Sequence, residues 1–116
     1  MATDPNAARM TCFVGEGDWE WDDGDNLFLN GYQLNNDATN PDDNVWNSRS
    51  NVLGSTGNDD GIDIDTFNAG YPIIEPDQTE ATLHMPTNTD VWNLVYIMLS
   101  FRSKIITGGV IDYSIK

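Results

Sequence analysis

Turn signals recur every eight to twelve residues along this chain, and only short alternating segments fit between them. Such segments are long enough for strands and too short for ordinary helices. The sharpest signal is Asn30-Gly31, set between residues 26–29 and 32–34. An Asn-Gly pair flanked by alternating residues is the strongest local mark of a tight hairpin. Residues 9–14 alternate, with Met10, Cys12 and Val14 on one face, and residues 80–85 alternate with Ala81, Leu83 and Met85 together. Residues 91–101 form the most apolar segment, and their β-branched and aromatic content, with turns on both sides, favours strand over helix. Val45 and Trp46 either begin a short strand or plug the core from a loop. Residues 69–77, with Gly70, Pro72 and Pro76, read as a connection with Ile73 and Ile74 pinned inside. Gly108-Gly109 separates two further short runs, 104–107 and 110–115, as a second hairpin would. Seven to nine short strands and no helix predict an all-β fold, an antiparallel β-sandwich or jelly roll.

A chain of 116 residues makes one domain and can bury ~65% of the surface its unfolded form exposes. Residues 1–8 are polar, contain Pro5 and read as an arm or linker, leaving 9–116 as the domain; 102–116 are either a terminal hairpin or a tail. No run of eighteen apolar residues is present, so no helical membrane span is expected. The first residues lack a basic and an apolar region, which fits either a cytosolic protein or a piece of a longer exported chain.

Nineteen acidic against five basic side chains give a formal charge of −14, which disfavours nucleic acid and anionic membranes as partners. Thirteen of the acids lie between Glu16 and Asp65, and that clustering favours a local role over general solubility or salt adaptation. The single cysteine, Cys12, excludes an internal disulfide and reads as a small buried hydrophobe. His84 stands alone, which removes most zinc and copper sites and Ser-His-Asp catalysis, and leaves it a structural role.

Residues 59–67 read Asp-Asp-Gly-Ile-Asp-Ile-Asp-Thr-Phe, an acidic turn running into an alternating strand. Alternation puts Ile62 and Ile64 on one face, expected in the core, and Asp63 and Asp65 on the other, ~7 Å apart. Phe67, expected on the apolar side, is one step out of phase with the isoleucines.

Three loops concentrate carboxylates and amides: 16–25, 37–44 and 58–65. Calcium takes six to eight oxygens from carboxylates, amides and carbonyls, and these loops offer all three. No EF-hand frame is present, so a calcium site must be assembled from two loops. Its candidate ligands are Asp18, Asp22, Asp23, Asp25, Asp42, Asp43, Asp59, Asp60, Asp63 and Asp65; the competing reading is turn chemistry, in which Asp and Asn cap their own backbone. A glycosidase would need two carboxyls across a cleft, one kept protonated, and a crowded acidic loop offers no such acid. Catalytic residues are therefore not expected. Trp46 and Trp92 read as core, whereas Trp19 and Trp21 occupy a loop that needs no such bulk and could hold a sugar ring.

Taken together, Gly15 to Asp18, Gly24 to Gly31, Asn44 to Ser48, Gly61 to Phe67 and Thr87 to Asp90 make a pattern. It resembles the carboxy-terminal part of a domain of unknown function that recurs in large multi-domain, adhesin-like surface proteins of archaea and bacteria. The resemblance covers roughly residues 9–101. It implies an extracellular or envelope-associated β domain beside other domains of a larger surface protein, and it names no ligands. That family's pattern has a preceding half with further strands, absent here, and residues after Phe101 match nothing in it. Unpaired sheet edges would then be relieved by homodimerisation or strand exchange.

The sequence thus leads to a non-enzymatic extracellular structural or adhesion module with calcium-binding acidic loops. One alternative is a carbohydrate-binding module using Trp19 and Trp21. Another is a filament or pilin-type subunit that assembles by strand exchange.

Overall fold

A computed structural model of the chain describes residues 8–19, 24–35, 38–52 and 58–101. Expectations for residues 1–7 of the N-terminal arm, for Trp21, Asp22 and Asp23, and for the hairpin in 104–115 lie outside the described residues; Ala8, expected in the arm, opens the first strand. Within them the protein is all-β, without a helix, and its strands form two small antiparallel sheets of three. Six strands are found among the described residues, fewer than the seven to nine expected.

The first sheet has the order β4-β1-β6, built from β1 (Ala8–Gly15), β4 (Ile62–Asn68) and β6 (Asn93–Phe101). β1 is central and alternates as its sequence predicts, with Ala8, Met10, Cys12 and Val14 buried. β6 pairs beside it where the apolar segment was expected to be a strand, with one register shift next to Phe13. Ile97 and Leu99 of β6 pack from the same side onto the core.

The second sheet has the order β3-β2-β5, from β2 (Phe28–Leu29), β3 (Tyr32–Gln33) and β5 (Leu83–His84). β2 and β3 are the hairpin that Asn30-Gly31 predicts, and both turn residues have positive φ, 52° and 81°. Two left-handed residues in succession are what a tight type I′ turn requires, and Asn and Gly tolerate them best. The strand expected over 80–85 shortens to two residues, and Thr82 N–H is taken by the Asn30 side chain. His84 stacks on Phe28 with ring centroids 5.8 Å apart.

A single apolar cluster joins the two sheets. It takes Met10, Cys12 and Val14 from β1, Phe67 from β4, Leu29 from β2, and Leu27, Val45 and Trp46 from the connecting segments. Val45 and Trp46 are fully buried and plug the core from a loop. Trp92 packs partly buried against the cluster, its ring 5.9 Å from that of Trp46. Ile73 and Ile74 are half-buried against the same cluster, as expected of pinned connection residues.

One expectation is reversed. β4 alternates, but Asp63 and Asp65 face the interior with 0% exposure, while Ile62 is 41% exposed and Ile64 only half-buried. The register explains it. Asp63 lies opposite Val14, Asp65 opposite Cys12 and Phe67 opposite Met10, all buried positions on β1. Phe67 is the apolar anchor of this face, and strict alternation carries both aspartates inward with it.

Candidate functional site

Burying two carboxylates costs several kcal/mol unless they find donors, and here a neighbouring loop supplies them. Residues 47–51 read Asn-Ser-Arg-Ser-Asn and run along the edge of β4. The backbone N–H groups of Asn47 and Arg49 donate to Asp63 Oδ1 at 3.0 and 3.2 Å, and that of Ser48 donates to Oδ2 at 3.1 Å. Asn51 N–H donates to Asp65 Oδ1 at 2.9 Å. Burial is still the larger influence on Asp63. It pushes the carboxyl up to about 7, the three N–H donors oppose it, and the nearby Asp65 charge adds to it.

The same loop also closes the free edge of β4. Ser50 Oγ accepts from Ile64 N–H at 2.9 Å and donates to the Ile62 carbonyl at 3.3 Å. Asn51 Oδ1 accepts from Thr66 N–H at 2.8 Å, and its amide donates back to the Thr66 carbonyl at 3.3 Å. Val52 N–H donates to the Ile64 carbonyl at 3.3 Å. Side chains here make the contacts that a neighbouring strand would otherwise make.

Next to this scaffold lies an open cleft of about 400 Å³, lined by Glu16, Gly17, Asp18, Trp19, Ser48, Asn58, Asp60 and Gly61. Its floor is stitched together. Gly17 N–H donates to the Gly61 carbonyl at 3.3 Å, Asp18 N–H to the Trp46 carbonyl at 3.0 Å, and Gly61 N–H to Ser48 Oγ at 3.0 Å, while Ser48 Oγ donates to the Gly17 carbonyl. Glu16, Ser48 and Asp60 all hold positive φ, 69°, 58° and 54°. Backbone held in that region costs on the order of 1–2 kcal/mol per non-glycine residue and persists only where the surroundings enforce it. Trp19 is half-buried, with the Arg49 guanidinium 3.7 Å from its ring centroid.

A third acidic position lies apart, where the first and second acidic loops meet. Gly24 and Asp25 N–H both donate to the Asp43 carbonyl, at 3.0 and 3.1 Å, and Val45 N–H donates to the Asp25 carbonyl at 3.0 Å. The Asp25 side chain is 1% exposed, and both of its carboxylate oxygens lack a hydrogen-bond partner. Asp43 Oδ1, by contrast, accepts from the Asn26 amide at 2.8 Å.

The eight candidate ligands among the described residues therefore separate instead of converging. Asp63 and Asp65 are inside and hold loop backbone. Asp18 and Asp60 line the cleft. Asp59 is half-buried and accepts from Ser50 N–H at 3.0 Å. Asp42 and Asp43 are exposed, Asp42 accepting from the Gln33 amide, and Asp25 is buried at the loop seam. Among the described residues, no three His, Cys, Asp or Glu side chains come together as a metal-holding group. Asp63 and Asp65, expected on the face opposite the core, are instead wholly buried.

Sequence reasoning missed Ser48, Ser50 and Asn51, which read as polar and unpatterned. Their signal was type, since Ser and Asn are the small side chains that bond backbone groups locally. Cys12 sits buried as expected, its thiol pushed up to about 12 by burial and then by the Asp65 charge. No protein-family model, no curated protein and no solved structure matches this chain.

Proposed function

We propose that this chain is a non-enzymatic module of an extracellular or cell-surface protein, a β-sandwich whose acidic loops are braced by calcium at Asp25. The observation that carries the reading is the Asp25 carboxylate, buried with both oxygens unpartnered where two acidic loops meet. An unpaired buried carboxylate is costly, and a hard cation is the partner that would offset it. With one carboxylate in hand, calcium would complete its shell from neutral oxygens, namely carbonyls, amides and water. The non-enzymatic part is supported by the fate of Asp63 and Asp65, which are sealed from solvent and accept hydrogen bonds from the backbone of residues 47–51. The surface location draws on the resemblance to adhesin-like surface proteins and on the acidic composition.

The test is thermal melting in EDTA and in millimolar calcium, for the wild type and for Asp25→Asn. A hundredfold excess over the dissociation constant adds about 2.7 kcal/mol, or roughly 10 °C for a domain of this size. Asp25→Asn should abolish the response. An unchanged wild-type Tm would refute calcium binding, and a response that survives Asp25→Asn would move the ion elsewhere.

A second reading, a carbohydrate-binding module, is favoured by the cleft. Trp19 forms part of its wall beside Glu16, Asp18, Asn58 and Asp60, which can accept from or donate to sugar hydroxyls. Arg49 already stacks on this ring, which leaves less aromatic surface free for a sugar. Tryptophan fluorescence titrated with neutral polysaccharides tests it, and no shift with Trp19→Ala as control would remove it.

A further inference from the structure

The reversal of β4 leaves an apolar outer face on the first sheet. Phe13 of β1 is flanked there by Ile64 of β4 and Tyr96 of β6, with Ile62 and Met98 beside them. Phe13 and Tyr96 meet edge to face with ring centroids 5.6 Å apart. Ile62, Tyr96 and Met98 are 41%, 42% and 59% exposed. Toward the other end the cross-strand rows become polar. Thr11 and Thr66 share a hydroxyl hydrogen bond of 2.8 Å, and Arg9 lies between Asn68 and Ser100.

Among the described residues, these strands place no carboxylate on this face, although the chain carries nineteen. Its strands place Arg9 at one end, while Glu16 and Asp60, in the turns that adjoin β1 and β4, lie at the other. The face is therefore polarised, positive where β1 begins and negative where it ends. We propose that it packs against the same face of a second copy, related by a two-fold axis that runs the two β1 strands antiparallel. That arrangement brings Arg9 of each copy to the acidic end of the other and buries the Phe13 row and Met98 at the centre. A basic partner, by contrast, would be drawn to the acidic loops rather than to a face whose own strands carry only Arg9 as a charge.

Strands about 25 Å long and about 4.8 Å apart make a face that buries about 1,000 Å² of accessible surface over both copies, the lower bound for a specific interface. The dimer is accordingly weak and reversible. It also forms more readily in salt, because the remaining net charge of −14 per copy opposes association from outside the face. This pairing does not depend on calcium at Asp25.

Sedimentation equilibrium of the full chain over a hundredfold concentration range, in low and high salt, tests the proposal. A monomer–dimer equilibrium is expected, strengthened by salt. Met98→Glu should weaken it about tenfold or more by placing a carboxylate in the apolar centre. Tyr71→Glu, at an exposed position off this sheet, should leave it unchanged. Near-ultraviolet circular dichroism verifies that both variants are folded, and Arg9→Glu provides a second, peripheral variant that should also weaken association. A monomer at every concentration would overturn the proposal and leave the face to a neighbouring domain or another protein. A dimer insensitive to both Met98→Glu and Arg9→Glu would overturn it equally.

Discussion

Gly17 lies against Asp63 so closely that a Cβ on the glycine would overlap the carboxylate oxygen Oδ2 and stand 2.8 Å from the backbone oxygen of Trp46. One of these neighbours is backbone and the other is pinned by three N–H donors, so neither can move aside cheaply. Gly17→Ala should destabilise the protein by about 2–3 kcal/mol, the upper end for an overpacked interior. Gly15→Ala has open space around its Cβ and should be nearly neutral. Urea denaturation of the two variants makes the comparison, and equal midpoints would refute the packing account.

Asp63 gives a pH dependence of definite sign. Its carboxyl is pushed from 3.8 up to about 7 in the folded chain, so between those values the folded state keeps a proton that the unfolded state has lost. Its contribution to stability is therefore complete below about pH 4, falls as pH rises and levels off above about 7. Asp63→Asn should flatten that slope while lowering stability at acid pH, since the new amide must face backbone donors. Melting curves from pH 4 to 8 for both proteins would show the difference, and parallel profiles would refute it.

Asn30 ties three segments together. Its amide donates to the Ile73 carbonyl at 2.7 Å, its Oδ1 accepts from Thr82 N–H at 2.9 Å, and its own N–H donates to the Thr82 carbonyl at 2.8 Å. Asn30→Gly keeps the left-handed turn and removes only the two side-chain bonds. The expected loss is about 1–2 kcal/mol, read as a lower denaturation midpoint with the hairpin retained.

Cys12, fully buried and with its thiol raised to about 12, should resist alkylation in the native protein. Labelling then proceeds through opening of the fold, and a protection of about 10³-fold or more over the unfolded chain is expected from typical domain stabilities. Fast labelling of the native protein would show that β1 opens locally.

The strands were legible where local chemistry decides them. Met10, Cys12 and Val14 announce the inward face of β1, and Asn30-Gly31 announces its hairpin without outside help. β4 shows what periodicity leaves undetermined. Alternation sorts residues 62–67 onto two faces, but which face goes inward depends on donors far along the chain. Those donors are the N–H groups of residues 47–49, fourteen to sixteen positions away from Asp63. The local trace of the reversal was the phase of Phe67, shared with the aspartates rather than the isoleucines. The candidate site was legible in composition but not in assembly. Three acidic loops were recognised, yet burial divides them into an internal brace, an open cleft and the isolated carboxylate of Asp25.

The bonds that Ser50 and Asn51 make to β4 have a consequence at the scale of assemblies. A strand added beside β4 has no vacant backbone groups to meet at Ile64 or Thr66, because Ser50, Asn51 and the Val52 N–H already occupy them. Among the described strands, β6 is the other edge. In the language of polymer chemistry the β4 edge is end-capped, and edge-to-edge growth cannot propagate through it.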